Sequence, residues 1–463
     1  MQKLSFFSLV LLIVAAIDSI RNLPVTALFG SSLIFFFLLS AVLFLIPISL
    51  VSAEFSSRYP EQGGVFHWVR HALGEKAAML AVWLQWINTM VWYPTILSFI
   101  AGTAAYLINP ALAQNKLFLA LFILAIFWGL TLLNLRGIHI SAKVNSFCGT
   151  IGTLFPMVFL IFLGLGWVLA GNVVPISFSW DTLVPPLGKG ENWSALIAIM
   201  ASFLGMELAG VHVADIANPQ RNFPRAMGVS VLILLATMIF GALSIAVVIP
   251  TKDIHLVDGI MQTFTTFFDA FHIPFLTPIL AILIIIGSAG GMINWLISPA
   301  KGLLQAADYG FLPSFFTVKN KAGISVRILF TQAILVSFFC LAIVFMPSIN
   351  AFYWFMTALS TGLYMLMYLL LFVSALKLGR PQKGSLSYRI PKGARTVSCL
   401  VGILGCIATI IVGFEHPEGV DVGTDLRYML SIAFGNLILI APVVFFWIYR
   451  GNSKLSDRVK PPF

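Results

Sequence analysis

The chain has 463 residues, 59% of them hydrophobic and only 10% charged, with a mean hydropathy of +0.98. That balance is far too apolar for a soluble globule of this size, so the sequence describes a polytopic membrane protein. Its formal net charge of +10 falls mainly in segments expected to face the cytoplasm beside an anionic leaflet, which accounts for the excess without nucleic acid as a partner.

Apolar runs of about 20 residues, split at Gly, Pro and polar clusters, predict twelve spans. They lie near residues 5–28, 30–55, 77–107, 115–134, 144–171, 193–214, 226–249, 275–303, 327–346, 350–376, 396–414 and 427–449. The first has one Lys and an apolar core, like a signal peptide. It runs on through Pro24 without a convincing cleavage site and is read as a retained helix. With both termini cytoplasmic, 22 of the 27 Lys and Arg residues fall on the inner side, Lys116, Lys189, Lys252 and Arg427 fall outside, and Arg21 alone lies within a span. The positive-inside rule supports this orientation and an even number of spans in a cytoplasmic membrane. Cys148, Cys340, Cys399 and Cys406 all fall within spans without metal-like spacing and read as small apolar packing residues.

The first span is interrupted by Asp18-Ser19-Ile20-Arg21-Asn22-Leu23-Pro24. A charge at mid-membrane costs about 2.5 to 3.5 kcal/mol even on the lenient insertion scale. Two charges and a proline together imply that this stretch faces something other than lipid, and it reads as half of a binding site.

After the second span, Pro60, the paired Gly63 and Gly64, Phe66 and the Trp68-Val69 step ahead of Leu73-Gly74 form a segment too polar to span. An amphipathic cytoplasmic turn would explain it. Its pattern also resembles the signature after the second helix in the amino acid, polyamine and organocation transporter superfamily. In the third span Trp92, Tyr93 and Pro94 either line a cavity or pack at an interface. Lys143, at the inner start of the fifth, is either a positive-inside anchor or a cation of the kind that some proton-coupled relatives are thought to use. A Pro-rich outer loop, 172–192, precedes the sixth span.

That span carries Glu207 between Gly205 and Gly210, with His212 towards its inner end. Glycine is tolerated where a membrane helix must unwind or approach a ligand. Glu207 is either a structural carboxyl bonded between helices or part of the site; His212 reads as a packed or interfacial residue. Interrupted spans five helices apart have opposite orientations, which points to an inverted repeat with a midplane site. Residues 1–171 would form the first five-helix repeat and 193–377 the second, with 378–463 adding two spans and a short cytoplasmic tail.

In the following loop, Asn218-Pro219 and Pro224 are expected to end one helix and start the next. The stretch from Gly205 to Met227 resembles the bacterial glutamate/GABA antiporter family within the superfamily, as do Gly259 to Thr265, Trp295 and the Ser298-Pro299-Ala300-Lys301-Gly302 run. The likeness extends over roughly Leu4 to Tyr449. It implies an all-α membrane fold of the LeuT type, twelve helices in a five-plus-five inverted repeat with broken helices 1 and 6. It also implies that Trp295, Tyr364 and Tyr368 lie along the substrate path, the two tyrosines being four residues apart on one helix face; packing between helices is the alternative for each. The sequence departs from that family in three ways. Gly291 stands where its members have an acidic residue, Arg21 stands where they have a tyrosine, and their long C-terminal plug is expected to be absent.

A zwitterionic amino acid needs partners for a carboxylate and an ammonium. Pro24 opens a half-helix whose free amides would face the carboxylate, and unwound carbonyls at Met206, Glu207, Leu208 and Ala209 would take the ammonium. Ser19, Ile20, Arg21, Asn22 and Leu23 complete the candidate site from the first break. Arg21 either pairs with Asp18, three residues earlier, or binds an acidic group of the substrate. Glu207 and Asp18 are the candidate proton-sensitive gates. The expected function is exchange of amino acids or close derivatives by alternating access, with amino acid/proton symport as the alternative and a non-transporting sensor as the reading from another class. The absence of a soluble domain argues against a sensor, and the absence of a metal cluster or nucleophile triad at mid-depth argues against an enzyme. No cofactor is implied; the partners are the amino acid, membrane lipid and, in the coupled readings, protons.

Overall fold

The computed structural model of the chain describes residues 6–59, 64–135, 149–185, 193–208, 218–319, 325–379, 388–417 and 419–452. Among these, eight helices are long and apolar enough to cross a membrane. The first span is α1 (Phe6–Ile17), which stops at Asp18; Ser19 is extended, Ile20–Asn22 form a 3-10 turn, and α2 (Leu23–Ala27) carries Pro24 in its first turn. Proline is suited to that place because the amide it lacks would have had no helical partner. A long α3 (Gly30–Arg58) follows, with a π turn at Ala41–Leu45. The polar segment beyond it folds as a short amphipathic helix, α4 (Val65–Leu73). Pro60 and Gly63 of the signature lie outside the described residues.

Helix α5 (Glu75–Ala105) is 31 residues long, carries Pro94 within it, and is buried along nearly all of its length. It is not one of the eight strongly apolar helices, because Gln85, Asn88, Thr89 and Thr95 dilute its hydropathy. Surrounded by protein, it need not satisfy lipid. Then come α6 (Lys116–Leu135), α7 (Thr150–Leu169) and α8 (Ala195–Ser202). The sixth predicted span breaks at the end of α8: residues 203–205 turn and 206–208 form a 3-10 turn. Lys143, Cys148, Ala209, Gly210 and His212 lie outside the described residues.

Helix α9 (Pro219–Ala246) starts after Asn218 in the left-handed conformation. Pro224, expected to open a helix, lies inside α9 instead, because Pro219 already occupies the first turn and the helix propagates through the second proline. The amphipathic segment from Gly259 is α10 (Gly259–Ala270), followed by α11 (Leu276–Asp308), α12 (Val326–Phe345), α13 (Ile349–Leu378), α14 (Lys392–Val412), α15 (Asp425–Ile440) and α16 (Pro442–Asn452).

Helix α5 packs against α13 and α11, while α1 and α2 pack against α9. Helices α7 and α11 cross at backbone contact: a Cβ at Gly152 would lie 2.3 Å from the Gly287 Cα and 2.3 Å from the Leu283 carbonyl oxygen. Small residues let two membrane helices approach to backbone contact. Cys340, Cys399 and Cys406 are buried as free thiols.

A buried ion pair ties α14 to α3. Arg395 Nε donates to Glu54 Oε1 at 2.8 Å, the side chains being 5% and 3% exposed. The guanidinium also donates to the Ala375 carbonyl near the C-terminal end of α13, and the Ile390 amide donates to Glu54 Oε2 at 3.4 Å. The sequence reading counts Arg395 among cytoplasmic basic residues; here it is enclosed by three segments. Removing one member of such a pair strands the other charge, so Arg395→Ala should destabilise the protein by about 3–5 kcal/mol. Thermal unfolding in detergent checks this. A melting temperature equal to that of the wild type would mean that the pair is not holding α3, α13 and α14 together.

Candidate functional site

The first break is built around residues buried in protein. Asp18 Oδ2 accepts from the Thr237 hydroxyl of α9 at 2.9 Å, and Asp18 Oδ1 has no hydrogen-bond partner among the described residues. Arg21 turns elsewhere. Its Nη1 donates to Thr95 Oγ1 of α5 at 2.9 Å and to the Tyr353 hydroxyl of α13 at 3.3 Å, and its guanidinium carbon lies 4.8 Å from the centre of the Trp92 ring. The Tyr353 hydroxyl also donates to the Arg21 carbonyl at 3.1 Å, so it grips the residue by backbone and side chain together. Of the two partners open to Arg21 in the sequence, the structure does not form the Asp18 pair, because the interruption aims the two side chains at different helices.

The other first-break residues divide by role. Ile20 and Leu23 are buried packing residues, Ser19 is half-buried, and Asn22 is buried with its carbonyl accepting from Thr26 at 3.2 Å. The sequence reading gave the half-helix after Pro24 a dipole that would hold a carboxylate. At five residues α2 aligns little more than one turn of peptide units, so its end carries little of that field. The fixed positive charge at this break is Arg21.

The second break is organised by Glu207. Its Oε1 accepts from the Tyr364 hydroxyl at 2.5 Å and from Gln85 Nε2 at 3.1 Å, and its Oε2 accepts from the Tyr368 hydroxyl at 2.5 Å. Three of the predicted site residues therefore meet in one network, which also answers the break itself: the freed Gly205 amide donates to the Tyr368 hydroxyl at 2.9 Å. Gly205 has φ 102°, and a Cβ there would lie 3.1 Å from the Trp295 ring, so glycine is what lets the chain turn under that indole. Met206 is buried and Leu208 half-buried. The Trp295 ring lies 5.2 Å from that of Trp92, and its carbonyl accepts from the Tyr93 hydroxyl at 2.7 Å. Trp92 thus connects the Arg21 end to the Trp295 end.

Two long helices carry the polar residues that join these ends, and the sequence reading missed four of the partners: Gln85, Thr95, Thr237 and Tyr353. A signal was present. Gln85, Asn88, Trp92 and Thr95 recur at helical spacing on one face of α5, and Tyr353, Thr357, Tyr364 and Tyr368 do so on α13. Asn88 and Thr357 are both buried. Among the described residues no group of three or more His, Cys, Asp or Glu could hold a metal ion.

A polar cluster covers α2. Asp258, immediately before α10, is buried and accepts from Tyr106 at 3.0 Å, Gln114 at 2.9 Å and His255 Nδ1 at 3.2 Å. Gly259 beside it lies against the Pro24 ring. The end of α5, the loop before α6 and the start of α10 are thereby held together above the first break.

Many apolar helices, two of the spans interrupted around buried polar residues, define a multi-pass membrane protein of the transporter class. The family model described as amino acid permease matches residues 4–452, and the chain belongs to that family, within the amino acid, polyamine and organocation superfamily. It is 38% identical over 461 residues to an uncharacterized transporter of Legionella pneumophila, covering 99% of both chains. It is 27% identical over 470 residues to a glutamate/gamma-aminobutyrate antiporter of Lactococcus lactis, covering 100% of this chain and 93% of the relative. It is 25% identical over 455 residues to a probable agmatine/putrescine antiporter of the same species, with 95% and 93% covered. The protein is a transporter of amino acids or related amines.

The Asp258 cluster should contribute to stability in a pH-dependent way. The hydrogen bond to Asp258 holds the His255 imidazolium pKa above its ordinary value, against partial burial and with help from Asp253. A raised folded-state pKa stabilises fully below the unfolded value of about 6.5 and loses that contribution as pH rises through the folded value. The melting temperature of His255→Gln should therefore fall below that of the wild type at mildly acidic pH, and the gap should close on the alkaline side. A gap that does not change with pH excludes this pair as its source.

Proposed function

We propose that the protein is a secondary active transporter that exchanges amino acids or close derivatives across the cytoplasmic membrane by alternating access. The observation that carries this reading is that both mid-span breaks are bound by the same two helices. Helix α5 meets Arg21 through Thr95 and Glu207 through Gln85. Helix α13 meets them through Tyr353 and through Tyr364 and Tyr368. A substrate held between the breaks would sense any movement of the broken segments against these helices. The architecture proposed with it is twelve spans, both termini cytoplasmic, and repeats at 1–171 and 193–377 in inverted orientation, with the last two spans as an appendage. The relatives named as antiporters support exchange over one-way uptake.

The decisive measurement is uptake of labelled amino acids into proteoliposomes. Exchange predicts uptake only into vesicles loaded with an amino acid, whatever the pH gradient. Uptake into empty vesicles that follows an imposed proton gradient would establish symport instead.

Proton-coupled symport is kept as the second reading because of the Glu207 network. As a carboxylate, Glu207 accepts from three donors and donates to none. Protonation would turn one oxygen into a donor and force a tyrosine or Gln85 to rotate, which is a local switch beside the second break. Glu207→Gln should flatten the pH dependence of transport and lower the rate by about tenfold. If the pH profile survives the substitution unchanged, Glu207 is not the gate.

A further inference from the structure

At one end of the bundle a cavity of about 190 Å³ lies between the end of α12, the start of α13 and the start of α15. Ala342, Phe345, Phe355 and Val422 give it an apolar wall, and Arg427 and Ser431 give it a polar rim. Phe345 is 85% exposed, and the flanking faces of α12 and α15, with Phe338, Leu341, Leu426 and Leu430, are exposed too. On helices that cross a membrane, such faces meet acyl chains. The cavity is therefore a recess in the lipid-facing surface.

Its depth in the bilayer follows from helix length. Helices α6 and α12 are apolar spans of 20 residues each, enough to cross the hydrocarbon core once. Lys116, the first residue of α6, and Met346, just past the end of α12, thus stand at the level of lipid head groups. Lys116 Nζ donates to the Met346 carbonyl at 2.6 Å and to the Pro347 carbonyl at 3.2 Å, and both of these residues line the recess. The two carbonyls are neutral, so the ammonium keeps its charge and one of its three donors.

Arg427 is the second cation. It is exposed and lies in the first turn of α15, the end of the helix dipole that disfavours a positive charge, so it does not serve α15 itself. Among the described residues no carboxylate lies within ion-pair distance of Arg427 or Lys116. The acids nearest Arg427 in sequence have other partners: Asp425 meets His416 at 3.2 Å, and Asp421 accepts from the Gly423 amide at 3.0 Å. Two cations and the N-terminal ends of α6, α13 and α15 converge here, beside an apolar slot.

We propose that this recess is a binding site for a phospholipid with an anionic head group. An acyl chain lies against Ala342, Phe345 and Phe355, and the phosphate is received by Arg427 and by the remaining donor of Lys116. A head group with its own ammonium already offsets its phosphate, so a net negative lipid is the preferred occupant. The site backs onto the first break. Ala351 and Phe355 line the recess, while Tyr353, between them on the opposite helix face, bonds Arg21. Tyr428, on the recess wall, accepts from Trp354 at 3.0 Å. A seated lipid supports this turn of α13 from behind.

The test is a lipid titration of the purified protein in dodecyl maltoside micelles, read as melting temperature against lipid concentration. Phosphatidylglycerol and phosphatidylcholine with the same acyl chains are compared. The wild type should bind phosphatidylglycerol more tightly, and Arg427→Gln should weaken that binding by about fivefold, the effect of one basic residue at an anionic lipid surface. Its affinity for phosphatidylcholine should stay. Lys392→Gln, which removes a cation at the other end of the bundle, should change neither. Ala342→Trp, which fills the recess and leaves both cations in place, should weaken both lipids; if it does not fold, Ser431→Trp at the facing wall replaces it. The ratio of the two affinities is taken within one preparation, so a general loss of stability cancels from it. Equal affinities in the wild type, or a preference that survives Arg427→Gln, would mean that lipid coats this face without a site and overturns the proposal. An equal shift with glycerol phosphate or inorganic phosphate would assign the cations to a free anion and overturns it as well.

Discussion

Backbone that leaves the helical conformation inside a bilayer frees amides and carbonyls that lipid cannot satisfy. That constraint governs the arrangement around both interruptions here. The Arg21 carbonyl is taken by the Tyr353 hydroxyl and the Gly205 amide by the Tyr368 hydroxyl. One helix, α13, therefore supplies a freed group at each break with its partner. The same tyrosines then reach the charged side chains of those breaks, so the solution to the backbone problem and the construction of the polar site are one set of contacts.

Helix α5 plays the complementary part. It is buried over nearly its whole length, and this allows it to carry a row of amide, hydroxyl and indole groups at a depth where a lipid-facing helix could not. Trp92 is the pivot of that row: one face of its surroundings is Arg21 and another is Trp295, which in turn covers Gly205. Rings and side chains thus form a continuous line of contacts between the breaks, in a region where each unmet polar atom is costly.

The rest of the fold holds these two helices and the broken segments in register. The Glu54–Arg395 pair joins α3, α14 and the end of α13. Beside Pro24, Asp258 gathers the end of α5, the loop before α6 and the start of α10. The crossing at Gly152 and Gly287 brings α7 and α11 to backbone contact.

The sequence by itself determined which stretches are apolar enough to cross a membrane and where two of them are interrupted. Asp18, Arg21, Pro24, Gly205 and Glu207 are local signals: charge, a missing amide and a missing side chain act on the helix that contains them, so the interruptions and the helix starts were legible without a fold. The helical spacing of Tyr364 and Tyr368 likewise placed both hydroxyls on one face. Only the tertiary structure decided the partners. Thr95 is 74 residues from Arg21 and Tyr353 is 332 residues away, and nothing local to Arg21 distinguishes them from Asp18 three residues earlier. Proximity along the chain favours the ion pair; the interruption rotates the two side chains towards different helices and forbids it. Gln85 and Thr95 went unread for the same reason, since a polar residue in a long apolar helix takes its meaning from the helix it faces. The buried role of Arg395, read as one more cytoplasmic cation, depended on the return of α14 to α3, which no local pattern encodes.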